Sequence, residues 1–389
     1  MSIITENDKL FVANTYNRFP IEIVAGKGSL LYTSDGKEYI DLGSGIGVTA
    51  FGIADDDWKE AVIEQLNKVQ HTSNLYYTEP CTLLAKTLCE RTGMKKVFFA
   101  NSGAEANECA IKVARKYALC KKSEKYNTII TLKNSFHGRT ITTLSATGQD
   151  VFHKDFKPFT EGFVYATAND INSVLEYVKN DNVAGILIEC VQGEGGVNAL
   201  DKDFVKGIEK LCIDNDILFM VDEVQTGNGR TGELYAYMNY GVKPDVVTTA
   251  KGLGGGLPIG ACLMNEKTQN VLGFGDHGST YGGNPVCAAG ALNVINRIDD
   301  KLLLEIKEKS EYAFKELKKA DGVENVSGMG LMIGIKTVKP AKEVVLECMN
   351  KGVLCLTAKD KVRLLPALNI PFELFKKAIA VIKEVACQN

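Results

Sequence analysis

The chain has 389 residues, 45% hydrophobic and 24% charged, with a net charge of −3. That length suits roughly two or three domains of ordinary globular composition. It excludes a broad basic surface for nucleic acid, and no apolar run approaches the ~20 residues a membrane helix needs.

The N-terminal stretch MSIITENDKLFVANTYNRFP is polar and lacks the layout of a signal peptide, which predicts a cytoplasmic protein. The eleven cysteines are scattered without a C-x-x-C pair, so neither a disulfide framework nor a zinc site is expected, and no metal is called. The first 45 or so residues read as short strands: IEIVAGKGSLLYTSDGKEYIDL alternates apolar and polar and turns at Ser34, Asp35 and Gly36. From about residue 55, helical periods alternate with the apolar runs KVFFA, NTIITLK, VAGILIEC, ILFMVDEV, DVVTTA and GACLM. Buried strands alternating with helices predict an α/β fold with a large, mainly parallel sheet covered on both faces. After about residue 285, one long helix (PVCAAGALNVINRIDDKLLLEIKEKSEYAFKELKKA) leads into shorter strands and a final helix, which predicts a smaller α+β domain. The expected division is an N-terminal segment over 1–50 that joins the small domain, a large domain over 51–285, and a small C-terminal domain over 286–389.

In an open parallel sheet, ligands bind beyond the carboxyl ends of the strands, so the residues that end each run carry the interest. KVFFANSGAEANE is strand, turn and helix, with Ser102 and Glu105 as a capping box and Gly103 where a ligand can approach the backbone. The free amides of such a helix start suit a phosphate. NTIITLKNSFHGRT ends in Phe136, His137 and Arg139; an arginine there can take a carboxylate or a phosphate. VAGILIECVQGEGGV ends in Glu189, followed by Glu194 in a glycine-rich loop, either a solvated acid or a working one. ILFMVDEVQTG ends in Asp222, costly to bury without a partner. It can serve as a metal ligand, a general base or the partner of a protonated ring nitrogen. Glu223 points to the other face and no histidine is near in sequence, which weakens the metal reading.

DVVTTAKGLGGG ends in Lys251. A lysine in apolar surroundings has a lowered pKa and attacks carbonyls, and the glycines after it leave room for a flat ligand. A Walker loop has its glycines before the lysine, the reverse of this order. GDHGSTYGGNP offers Ser279 and Thr280, as a turn or a second phosphate clamp. Together these groups are what a pyridoxal phosphate enzyme must supply.

The motifs NSGAEANE, FHGRT, QGEGG, DEVQTGNGRTGELYAYMNYGVKPD, TTAKGLGGGLPIGA and HGSTYGGNP, in this order over nearly the whole chain, resemble those of class III, fold-type I aminotransferases. The resemblance implies pyridoxal 5'-phosphate as cofactor and Lys251 and Asp222 as the catalytic pair, the lysine holding the cofactor covalently and the aspartate pairing with its ring nitrogen. It implies cofactor contacts from Ser102, Gly103, Ala104, Phe136, Glu189, Val224 and Gln225. It also implies Thr280 reaching the phosphate from the second subunit of a homodimer, with the active site at the interface. Substrate contacts would come from Arg139, to a carboxylate, from Ser279, and from Glu194 with Arg363 as a switch pair. In that switch the glutamate masks the arginine for one substrate and frees it for 2-oxoglutarate. Within the family the likeness is to the ornithine-type branch. It implies transfer of the δ-amino group of N2-acetyl-L-ornithine to 2-oxoglutarate, a step of arginine biosynthesis. Ornithine, succinylornithine, succinyldiaminopimelate and 4-aminobutyrate are alternative donors. One stretch departs from the family: FGIADDDW stands where many relatives carry a GHxHP-like sequence, which leaves the local loop and substrate entrance open.

A dinucleotide-binding oxidoreductase is the reading of a different class. GSGIGVTAFG offers Gly43, Gly45 and Gly47, but Val48 stands where the third fingerprint glycine belongs.

Overall fold

The computed structural model describes residues 2–387. Its centre is a seven-stranded sheet, whose strands we label in chain order: β1 Lys96–Ala100, β2 Thr128–Leu132, β3 Phe163–Ala166, β4 Val183–Ile188, β5 Leu218–Asp222, β6 Val246–Thr249 and β7 Gly260–Met264. The spatial order is β1-β7-β6-β5-β4-β2-β3. Pairs β6–β5, β5–β4, β4–β2 and β2–β3 are parallel, whereas β7 runs antiparallel to both of its neighbours. The continuous apolar runs are explained by burial on both faces. Alternate residues separate cleanly: Ile129, Leu187, Leu218, Met220, Val246 and Cys262 join one core, and Ile130, Ile186, Ile188, Phe219, Val221 and Val247 the other.

Helix α1 (Gly103–Lys121) lies against the first of these cores. Its buried stripe of Ala106, Cys109, Ala110, Val113, Ala114 and Tyr117 recurs at helical spacing. The direction of the strands gathers the ends of β1, β2, β4, β5 and β6 at one edge. The antiparallel β7 begins at that same edge, with Gly260 opposite Ala100.

Strands Ile23–Lys27, Leu30–Thr33 and Glu38–Asp41 form a meander that takes Val353–Leu354 as a fourth strand, so the two ends of the chain meet there. A four-stranded antiparallel sheet (Val323–Met329, Met332–Thr337, Leu356–Ala358, Lys361–Leu364) follows, with the helices Asp300–Leu317, Ala341–Asn350 and Phe372–Cys387.

Two elements differ from the sequence reading. Residues Ile3–Phe11 form a helix capped by Ser2, with no buried residue; its polarity hides a helical start. The long helix after residue 285 is two, Pro285–Arg297 and Asp300–Leu317. Asp299 causes the break: its side chain accepts the Leu302 N–H and so caps a new helix.

Candidate active site

At the strand-end edge lies a cavity of about 460 Å³. Its lining includes Ser102, Gly103, Ala104, Phe136, Arg139, Glu189, Asp222, Val224, Gln225 and Lys251. Glu194 and Arg363 stand behind Gln225 rather than in the lining. Ser279 and Thr280 are also outside it, and Thr280 is exposed.

Asp222 is buried at the end of β5. Its Oδ2 accepts Asn107 Nδ2 (2.7 Å) and lies 2.8 Å from His137 Nδ1, and its Oδ1 accepts the Val224 N–H (3.0 Å). Asn107 also donates to the His137 carbonyl (2.8 Å), and its Oδ1 accepts the Thr248 hydroxyl (2.6 Å). The carboxylate is therefore fixed from three sides and keeps acceptor capacity for one more donor. His137 Nε2 is buried with no partner among the described residues.

Asn107 and His137 have no assigned role in the sequence reading. A signal for Asn107 was present: it is a polar residue on the apolar stripe of α1, where a buried amide must find partners. His137 is far from Asp222 in sequence, and only the sheet brings them together.

The start of α1 forms the opposite wall. Ser102 Oγ accepts the Glu105 N–H (3.2 Å), but the Glu105 carboxylate reaches the Asn101 N–H rather than Ser102, so the box closes one residue early. Gly103 and Ala104 N–H, in the first turn, have no partner among the described residues and face the cavity. A Cβ on Gly103 would stand 2.5 Å from Val224 Cγ1. The glycine thus lets the helix start rest on Val224, and the close approach is made by a side chain of this chain.

Lys251 follows β6 with φ +45°. Its Nζ makes no hydrogen bond or ion pair among the described residues, so its amine is uncommitted. Burial holds its pKa below the usual lysine range, against the opposing pull of the Glu194 and Asp222 charges. Of the glycines after it, Gly256 lines the cavity, whereas Gly254 and Gly255 are closed against their neighbours. A Cβ on Gly254 would stand 2.0 Å from the Leu257 carbonyl, and one on Gly255 2.7 Å from Trp58 Nε1. They let the loop fold tightly on itself and on Trp58.

Burial raises the Glu189 carboxyl to about 7, although it accepts the Phe136 and Gly193 N–H groups. Glu223 is likewise raised to about 7 by burial, on the far face from Asp222, where it holds Thr226 Oγ1 and the Ala236 and Tyr237 amides. Arg363 Nη1 lies 2.5 Å from Glu194 Oε1 and 3.1 Å from Gln225 Oε1. Burial pushes Glu194 up, but the charge and hydrogen bond of Arg363, with the Lys251 charge and the Gln225 hydrogen bond, together outweigh it and leave the carboxyl below its ordinary value. The Arg139 guanidinium stacks on the rings of Phe152 (4.3 Å) and Phe136 (5.5 Å) and is exposed, with its donors open to a ligand.

FGIADDDW lies behind the lysine loop and not at the cavity mouth. Asp55 caps the helix Asp56–Leu66 and pairs with Arg297, and Trp58 Nε1 donates to the Gly254 carbonyl (3.1 Å).

An uncommitted amine, an acid held for one more donor and free helix-start amides, gathered at one sheet edge, define a cofactor-dependent transferase of the fold-type I kind. The chain belongs to the class-III aminotransferases: the family model described as "Aminotransferase class-III" matches residues 11–386. It is 49% identical over 384 residues to the acetylornithine aminotransferase of Haemophilus ducreyi, covering 98% of each chain. It is 43% identical to the succinylornithine transaminase of Salmonella agona, covering 96% of this chain and 94% of the relative. Among solved structures, the ornithine aminotransferase of Toxoplasma gondii superposes with a TM-score of 0.94 at 30% identity, covering 98% of this chain and 94% of that one. The N-acetylornithine aminotransferase of Stenotrophomonas maltophilia gives 0.85 at 32%, covering 98% of both chains.

The family's cofactor is pyridoxal 5'-phosphate, and the donor set fits it. Asp222 retains capacity for a ring N–H, the Lys251 amine is free for an aldehyde, and the Gly103 and Ala104 amides are free for a phosphate. No helix among the described residues is long and apolar enough to cross a membrane.

Proposed function

We propose that this chain transfers the δ-amino group of N2-acetyl-L-ornithine to 2-oxoglutarate, a step of arginine biosynthesis in the cytoplasm. The observation that carries the reading is the convergence of Lys251, Asp222 and the start of α1 on one cavity. The donor follows the relatives: the 49% match is named for acetylornithine and the 43% match for succinylornithine. The alternative donors remain outcomes of the test.

When bound, pyridoxal 5'-phosphate supplies an aldehyde that takes up the amino group and a protonated ring that accepts the electron pair released with a substrate proton. Asp222 would keep the ring nitrogen protonated, and His137 and Asn107 hold its carboxylate in place. The Gly103 and Ala104 amides, at the positive end of α1, bind the phosphate. Val224 and Phe136, both in the cavity lining, would enclose the ring, and Gln225 would offer its amide as a hydrogen-bond partner. Lys251 Nζ would hold the cofactor's aldehyde. Its amine would also move the proton at the substrate carbon that bears the amino group. Its lowered pKa suits that work, because more of the amine is free to accept a proton near neutral pH.

Arg139 binds a substrate carboxylate. Arg363 binds a carboxylate of 2-oxoglutarate once Glu194 turns away, and Glu194 masks it while the donor occupies the site. Ser279 lies near the substrate through Asn101, whose Nδ2 bonds its Oγ (3.1 Å). Thr280, exposed on this chain, completes the phosphate site of a second copy in a homodimer.

The test is a panel of the five donors with 2-oxoglutarate as acceptor. Acetylornithine should give the largest kcat/KM, and a greater value for another donor reassigns the substrate. Borohydride should fix the cofactor to Lys251, and Lys251→Ala should abolish both the adduct and turnover; a normal adduct in that variant would sink the assignment.

A further inference from the structure

Lys251 adopts a left-handed backbone conformation that side-chain-bearing residues seldom take. Such strain persists only where the surroundings over-determine it. On one side, Asn228 Nδ2 bonds to Thr249 Oγ1 (3.0 Å) and to the Ala250 carbonyl (3.2 Å). On the other side the loop rests on Trp58. The indole N–H donates to the Gly254 carbonyl (3.1 Å), while the Gly254 N–H closes the turn on the Lys251 carbonyl (3.0 Å). A Cβ on Gly290 would stand 2.9 Å from Trp58 Nε1, so the indole fills the space between the lysine loop and the helix Pro285–Arg297. That helix in turn grips the chain around Trp58: Arg297 pairs with Asp55 through both nitrogens (2.5 and 3.0 Å), and Asn293 Nδ2 bonds to the Asp57 carbonyl (3.2 Å). Asp55 also accepts the Trp58 N–H (3.0 Å).

We propose that Trp58 is a positioning residue: its indole holds the turn after Lys251 in the geometry that presents the amine to the cavity. The proposal rests on the reading of Lys251 as the cofactor-holding lysine. Trp58 itself is outside the cavity lining. It is the sole tryptophan of the chain, so intrinsic fluorescence reports this contact directly.

The test compares holoenzymes of the wild type, Trp58→Phe, Gly290→Ala and Lys27→Ala. Trp58→Phe removes the hydrogen bond and keeps an aromatic ring. Gly290→Ala presses the indole from the far side. Lys27→Ala removes an exposed ion pair to Asp56 and a bond to the Ala54 carbonyl at the same helix start, bonds to neither Trp58 nor its partners being involved, and serves as the control. In the first two variants, kcat should fall roughly 10-fold while KM for the donor stays within about 2-fold. The pH midpoint of the bound cofactor's visible absorbance should rise, because a loosened turn hydrates the Lys251 nitrogen that holds the cofactor and favours its charged form. Gly290→Ala should also shift the tryptophan emission, and Lys27→Ala should change none of these readouts. If both variants lower only the melting temperature and leave kcat and the midpoint as in the wild type, the role is structural and the proposal falls. Should Trp58→Phe fail to fold, Gly290→Ala decides alone by the same criteria. A wild type that gives no borohydride-fixed cofactor on Lys251 overturns the underlying reading and the proposal with it, a result distinct from failure of the two variants alone.

Discussion

The cavity floor and its flank are built on opposite terms. On the floor, Asp222 is held by Asn107, His137 and the Val224 amide, and Asn107 by Thr248 in turn. On the flank, Asn74 ties the 71–78 loop to the Ser279 and Gly282 carbonyls (3.1 and 2.8 Å). Yet Tyr77 is fully exposed there, and Leu75, Tyr76 and Tyr281 are largely so. Large apolar side chains gathered on one surface mark a place to be covered. One chain pre-organises the charged centre; the flank that carries Thr280 is suited to a second copy, as proposed above.

The largest effect should come from the floor. Asp222→Asn keeps the shape, but whichever oxygen becomes an NH₂ then faces a donor, from Asn107 and His137 or from Val224. With the charge also lost, kcat should fall on the order of 10³-fold, measured in single turnover on protein with bound cofactor. A fall below tenfold would separate Asp222 from the ring nitrogen. On the flank, Leu75→Asp with Tyr77→Asp should yield monomers in sedimentation, since tyrosine is enriched among the few interface residues whose loss costs about 2 kcal/mol or more. Cofactor retention should drop with assembly. Monomers with undiminished retention would remove Thr280 from the phosphate site.

The floor was legible in the sequence because parallel strands end where ligands bind: Lys251, Asp222 and Glu189 each close an apolar run. The helix-start amides were legible from Ser102 and Gly103 for the same reason. What could not be read was anything fixed by packing across the sheet. His137 meets Asp222 across 85 positions, and Trp58 meets Gly254 across 196. Gly254 and Gly255 could not be told in the sequence from Gly256, which lines the cavity, because composition shows where a Cβ is missing but not what stands in its place. The break at Asp299 was missed because apolar spacing continues on both sides, and the cap alone marks it.

Behind Gln225 stands the Glu194–Arg363 pair. Hydrogen bonds to charged groups contribute about 1.5–3 kcal/mol, so removing one partner should change one half-reaction by roughly 10–100-fold. Glu194→Ala exposes Arg363 permanently and should slow the donor half-reaction more. Arg363→Ala should slow the 2-oxoglutarate half-reaction more. Equal losses in both halves, by stopped-flow absorbance, would refute the switch.

The smallest effect is a pH dependence of stability carried by the floor. Glu189 and Glu223 are raised by burial from 4.5 to about 7. Between those values the folded chain binds protons that the unfolded chain has released, so each carboxyl makes stability fall as pH rises through the window, with the full loss above it. For a chain of this size that amounts to a melting-temperature decline of a few degrees at most per group. Glu189→Gln leaves a carbonyl oxygen to accept the Phe136 amide, removes the titration, and gives up only the longer bond from Gly193 (3.3 Å). Its melting curves between pH 4.5 and 7 should be flatter than those of the wild type. An unchanged slope would place the titration on Glu223 alone, whose carboxylate holds three donors and cannot be exchanged for an amide without setting an NH₂ against one of them.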